Sequence, residues 1–181
     1  MKLPDKIIFF DTETTGMCGN DEILSLAIVD QDGKVLFNEL FKPSKKKKWP
    51  EAARVNHITP DMVKDRPTFR FFRKQVQEIF EQADLVVGYN TGFDLAFIKS
   101  KGVHYSGAVA DVMVDFSKIY GEWSDYFENY KWQKLTTCAS YYGYDWGKTS
   151  AHDALADTFA TRYCFYKIWG ATDGNMEIYT V

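Results

Sequence analysis

A chain of 181 residues, 45% hydrophobic and 26% charged, is long enough for one domain with a proper core and too apolar for disorder. Its formal charge of −3 excludes a protein that coats nucleic acid through a global positive field, but not a nuclease whose positive charge is supplied locally by divalent metals. Cys18, Cys138 and Cys164, an odd set without CxxC spacing, exclude a disulfide framework and a zinc site and read as reduced thiols of a cytoplasmic protein.

The first apolar run, Ile7 to Phe10, is closed by Asp11. It is far too short for a signal peptide or a membrane span, and it reads as a strand buried on both faces. A loop over Gly16 to Asp21 follows. Ile23 to Asp30 and Lys34 to Phe41 read as two further strands, linked by the turn signature Asp30-Gln31-Asp32-Gly33. Three consecutive strands with so tight a link predict an antiparallel meander. Ser44 to Lys48 is a hydrophilic, lysine-rich loop, either solvated or a contact for substrate phosphates. Pro50 and Pro60 each open a helical turn.

Phe69, Phe72, Val76, Ile79 and Phe80 recur at three- and four-residue steps and predict a helix over Thr68 to Gln82. Leu85 to Gly88 reads as a buried strand, and Phe93 to Lys101 as a helix stopped by Gly102. Ala110 to Val114 is a candidate fifth strand. The aromatic-rich stretch from Phe116 to Trp146 reads as mostly helical, and Asp153 to Trp169 as a helix with Leu155, Phe159, Tyr163 and Tyr166 on one stripe. With 14 Phe, 11 Tyr and 5 Trp, aromatics exceed what a small core needs, so they serve either as core and helix faces or as surface stacking platforms. No repeat or linker divides the chain. It reads as a single α/β domain over 1–181, with a core at about 7–169 and a short tail at 170–181.

Three segments carry candidate chemistry. Asp11 and Glu13, two residues apart on an extended chain, point to one face of the sheet, where two anionic groups repel unless a cation lies between them. Hard divalent ions such as Mg²⁺ or Mn²⁺ accept such oxygen ligands, although a strand running out into polar residues gives the same pattern. Asp94 follows the turn after a buried strand, where it either caps a helix or delivers a third carboxylate to the sheet's end. Asp157 lies a turn inside a helix beside small alanines. His152, five residues earlier, is about 140° away on a continuous helix, so it reads as a residue of the entering loop that swings toward the same site.

In this order, FDTETTG at Phe10–Gly16, YNTGFD at Tyr89–Asp94 and HDALAD at His152–Asp157 resemble the DEDDh exonucleases, the family that includes the proofreading subunit of bacterial replicative polymerases. The resemblance implies an RNase H-like fold: a mixed five-stranded sheet, its first three strands antiparallel, with helices on both faces. It implies two ions, Mg²⁺ or Mn²⁺, with Asp11 bridging them, Glu13 and Asp157 completing one shell and Asp94 supporting the other through water. His152, in place of a Tyr nearer the last Asp, would be the general base. Thr14 and Phe93 match positions that hold the terminal nucleotide, and Thr12 and Asn90 fall on the same substrate side.

The chain departs from the family where many relatives read His-Gly-Ile: Asn56-His57-Ile58 moves the sugar contact to Asn56 or His57. The tail lacks a polymerase-binding extension, so a free-standing nuclease is expected, with any polymerase docking on the domain's own surface. The implied activity is 3′→5′ hydrolysis to nucleoside monophosphates. Single-stranded DNA is favoured as substrate because FDTETTG resembles the DNA-directed members. An RNA-trimming exoribonuclease and a catalytically silent nucleic-acid-binding module are the alternatives.

Overall fold

The computed structural model describes residues 3–149, 151–172 and 176–181. Strands β1 (Ile7–Thr14), β2 (Ile23–Asp30) and β3 (Val35–Leu40) form the expected meander, antiparallel at both ladders. The Asp30 carboxylate fastens the β2–β3 link by accepting the N–H groups of Asp32 (3.0 Å) and Lys34 (2.9 Å). Gly33 takes the left-handed backbone, φ 85°, that closes the turn. Helices α1 (Pro50–Asn56), α2 (Pro60–Val63) and α3 (Phe69–Glu81) follow, then β4 (Leu85–Gly88), α4 (Thr91–Ser100) and β5 (Ala108–Asp111). β4 lies parallel to β1, and β5 parallel to β4.

Period-two alternation explains why β1 reads as a continuous apolar run. Ile7 and Phe9 pack into one core with Phe116, Cys138 and Phe165, while Ile8 and Phe10 pack into another with Val76, Phe80 and Ile98. Phe9 meets Phe165 edge-on at 5.3 Å, and Phe10 meets Phe80 edge-on at 5.3 Å, contacts worth about 0.5–1.5 kcal/mol each beyond burial. β1 runs four residues past Phe10, its end by hydropathy, because β2 still offers a ladder: Asp11 pairs with Ala27 and Glu13 with Ser25. Both carboxylates therefore ride on the Ile7–Phe9 face.

Other expectations are corrected. The fifth strand stops at Asp111, not Val114, since the Asp111 carboxylate accepts the Met113 N–H (3.0 Å) and starts α5 (Val112–Tyr120). The stretch expected to be mostly helical is broken by the hairpin β6 (Trp123–Ser124) and β7 (Asn129–Tyr130) before α6 (Leu135–Tyr141). Gly121, at φ 78°, ends α5 there. After α7 (Ala154–Ala171), β8 (Ile178–Thr180) pairs antiparallel with β5, so the sheet has six strands, ordered β3-β2-β1-β4-β5-β8, around the expected five. α5, α6 and α7 cover one face, and α3 and α4 the other. Cys138 and Cys164 are buried and Cys18 is exposed. Among the described residues no helix is long and apolar enough to cross a membrane.

The lysine loop is fastened down. Glu22, buried at the start of β2, accepts the N–H groups of Ser44, Lys45 and Lys46 at 2.8–2.9 Å, and Lys46 forms an ion pair with Asp21. Lys45, Lys47 and Lys48 are exposed.

Candidate active site

Parallel pairing sets the carboxyl ends of β1 and β4 at one edge of the sheet, and α4 starts there directly after β4. Asp94, in the first turn of α4, accepts the Thr12 N–H (3.0 Å) and the Thr12 hydroxyl (2.5 Å), which ties the helix to β1. Thr12, expected on the substrate side, therefore spends its hydroxyl on Asp94. Asn90 precedes α4 in a left-handed conformation, φ 65°. Its N–H and that of Thr91 go to the Asp111 carboxylate at 3.0 and 2.9 Å. Asp111 thereby holds the turn that presents Asp94, a role the sequence reading missed. Its only local signal is an acidic residue between a strand and a helix.

α7 brings the remaining groups. Asp153 caps it by accepting the Ala156 N–H (2.9 Å), and Asp157 lies in its first turn. His152 sits in the entering loop with a left-handed φ of 71°, and its N–H donates to Asp157 Oδ2 at 3.0 Å. Asp157 Oδ1 is buried with no hydrogen-bond partner among the described residues. Ligand atoms of Glu13, His152 and Asp157 lie within 4.8 Å of one another.

Asn56 is buried, and its amide serves the protein. Nδ2 donates to the Thr14 carbonyl (3.1 Å), Oδ1 accepts the Ile58 N–H (3.1 Å), and the amide lies close enough to Glu13 to lower its carboxyl pKa. His57 is exposed at φ 59°, and with His152 and Arg66 it lines a cleft of about 470 Å³. The Thr14 hydroxyl turns to the Gly16 carbonyl (2.6 Å). Phe93 is half-buried, 4.9 Å from the Phe97 ring, and lines a pocket of about 160 Å³ with the exposed Met17.

These carboxylates are crowded. Burial first, then the charges of Asp94, Asp157 and Glu13, hold Asp11 well above the ordinary carboxylate range. Burial and the Asp157 charge push Glu13 up to about 8, against the lowering effect of Asn56. Burial lifts Asp94 to about 7 despite the two bonds from Thr12, and lifts Asp157 to about 7 despite the His152 N–H. Such a site either holds protons near neutrality or binds cations. The cluster of Glu13, Asp157 and His152, two carboxylates with an orphaned buried oxygen and one imidazole, fits hard divalent ions and contains no thiolate.

A carboxylate-ringed edge on a mixed sheet that opens with a meander defines the RNase H-like class. The chain belongs to the exonuclease family of DnaQ-like, DEDDh type: the RNase_T family model, described as Exonuclease, matches residues 8–165. It is similar to an uncharacterised exonuclease, CP81, of Escherichia phage 186, at 33% identity over 166 residues, covering 86% of this chain and 84% of that protein. It also matches a PolC-type DNA polymerase III of Caldanaerobacter subterraneus at 28% identity, covering 92% of this chain but 12% of the polymerase. The fold superposes on exonuclease X, solved with 5′-overhanging duplex DNA, with a TM-score of 0.69 at 21% identity, over 92% of this chain and 93% of that one. The protein is an exonuclease acting on nucleic acid.

Proposed function

We propose that this exonuclease removes nucleotides from the 3′ end of single-stranded DNA, with Asp11, Glu13, Asp94 and Asp157 holding two Mg²⁺ or Mn²⁺ ions and His152 as general base. The observation that supports the reading is the grouping of Glu13, His152 and Asp157 within 4.8 Å, with Asp157 Oδ1 unpartnered and Asp11 crowded by the charges of Asp94, Asp157 and Glu13. When bound, the ions supply Lewis acidity at the scissile phosphate and stabilise charge on the attacking and leaving oxygens.

The remaining work falls to the chain's own residues. Thr12 and Asp111 fix Asp94, and the His152 N–H fixes Asp157, so that neither carboxylate needs to reorganise when substrate arrives. The exposed His152 imidazole stands at the rim on the Glu13–Asp157 side, where it takes the proton from the attacking water. Asn56 acts as a positioning residue by holding the Thr14 carbonyl, which leaves His57 as the exposed member of that pair to meet the terminal sugar. Phe93 and Met17 offer an apolar wall to the terminal base. The likeness to a DNA polymerase III supports DNA over RNA.

The test is a labelled panel of single-stranded DNA, duplex DNA with paired and mismatched ends, and RNA, each with Mg²⁺ and with Mn²⁺. Single-stranded DNA should shorten fastest and from its 3′ end, releasing mononucleotides. Faster loss of RNA would assign the protein to RNA trimming. Tight binding without turnover on every substrate would make it a silent binding module.

A further inference from the structure

Away from the carboxylates, a cleft of about 310 Å³ opens between the start of β2, the segment after β3, and the first turns of α3, lined among others by Glu22, Lys42, Arg70, Arg73 and Lys101. In a chain of net charge −3, this is a local concentration of positive charge. Its one carboxylate is already engaged: Glu22 takes three loop N–H groups, and its Oε1 lies 3.7 Å from Lys101 Nζ. Lys42, Arg70 and Arg73 are exposed and form no ion pair among the described residues. The Arg73 guanidinium lies over Gly102, so close that a Cβ there would come within 3.3 Å of Nη1.

We propose that this cleft is a second phosphate site, which grips the polynucleotide backbone several nucleotides from the scissile end. The inference rests on the function proposed above. Arginine suits the role, since its planar fork takes phosphate oxygens in pairs and loses little hydration in doing so. Continuity with the site also favours a substrate strand over an acidic protein. Ile23 of the cleft pairs with Thr14 at the end of the carboxylate-bearing strand, and Thr15 N–H bonds the Glu22 carbonyl at 2.9 Å. The exposed Lys45, Lys47 and Lys48 extend the cleft along the loop that Glu22 anchors. That adjacency would let a strand with its 3′ end at the carboxylates reach this cationic surface.

The test compares wild type with Arg70→Gln/Arg73→Gln, and with Lys42→Gln as a milder second variant, after confirming equal melting temperatures. Affinity for a fluorescent 20-nucleotide oligodeoxythymidylate is measured by anisotropy in chelator across a salt series, and hydrolysis of the p-nitrophenyl ester of thymidine 5′-monophosphate is measured in Mn²⁺. The double variant should bind the 20-mer roughly tenfold more weakly at low salt. The slope of log affinity against log salt should flatten by about 1.4, at about 0.7 for each phosphate that is no longer neutralised. The small ester, which spans only the scissile end, should keep its kcat and KM. An unchanged affinity and slope in both variants would overturn the second site, as would equal losses on the ester and the 20-mer. If wild type itself fails to hydrolyse the ester in metal, the proposed catalytic reading falls, while the binding series still decides the cleft.

Discussion

Replacing Asp157 with Asn should stabilise the metal-free protein while abolishing cleavage. Asp157 is buried, and its carboxyl is pushed from the ordinary 3.8 up to about 7. The native state therefore holds a proton between about pH 4 and 7 that the unfolded chain has released, so stability falls as pH rises through that window. Three units at 1.36 kcal/mol each set a ceiling of about 4 kcal/mol at pH 8. Water entering at the rim and mutual adjustment among the carboxylates reduce this to about 1–2 kcal/mol. Asparagine keeps an oxygen for the His152 N–H and places an N–H₂ where Asp157 Oδ1 now lacks a partner. In urea unfolding with chelator, Asp157→Asn should gain about 1–2 kcal/mol at pH 8, roughly 2–8 °C in Tm for a domain of this size, and much less at pH 4. Saturating Mn²⁺ should then raise wild type and leave the variant unmoved. A variant less stable than wild type at pH 8 in chelator, or an equal gain at both pH values, would refute the argument that crowded carboxylates strain the apo site.

Cleavage should vanish in excess chelator and return with Mg²⁺ or Mn²⁺, whereas Ca²⁺ should raise Tm without supporting turnover; full activity in chelator would sink the metal reading. His152→Asn, chosen because Asn tolerates the left-handed φ of 71°, should lower the single-turnover rate by about 10²–10⁴. Metal affinity measured on that variant separates a base from a ligand, and near-normal turnover in the metal-loaded variant would remove His152 from the mechanism. A circular single-stranded DNA should survive conditions that consume its linear form, and equal degradation of both would contradict an end-directed enzyme.

What the sequence disclosed depended on how local the signal was. The meander was legible because Ile23 to Asp30 and the Asp30–Gly33 turn carry their own geometry, and α3 because its apolar residues keep helical spacing. The candidate carboxylates stood out because Asp11, Glu13, Asp94 and Asp157 lie in three recognisable segments. The roles of Asn56 and Asp111 were not, since Asn56 reaches Thr14 across 42 positions and Asp111 reaches Asn90 across 21, distances at which no local spacing speaks. The β6–β7 hairpin escaped because each strand is only two residues long, and an alternation cannot show in two residues. The lysine loop was read from its side chains alone, whereas its backbone N–H groups and Glu22 decide its shape.

The short strand β8 also governs how the protein behaves in a crowd. It fills the backbone edge of β5, an apolar Ala108–Asp111 strand whose far side is otherwise a ready template for another chain. Three residue pairs hold it there, with the Asp115 carboxylate accepting the Glu177 N–H at 3.1 Å and Lys118 clasping the Glu177 side chain at 2.5 Å. A protease that nicks the chain just before β8 would uncover that edge while leaving the four candidate carboxylates in place. The cut protein would still cleave nucleic acid when dilute, yet self-associate strand to strand as its concentration rose.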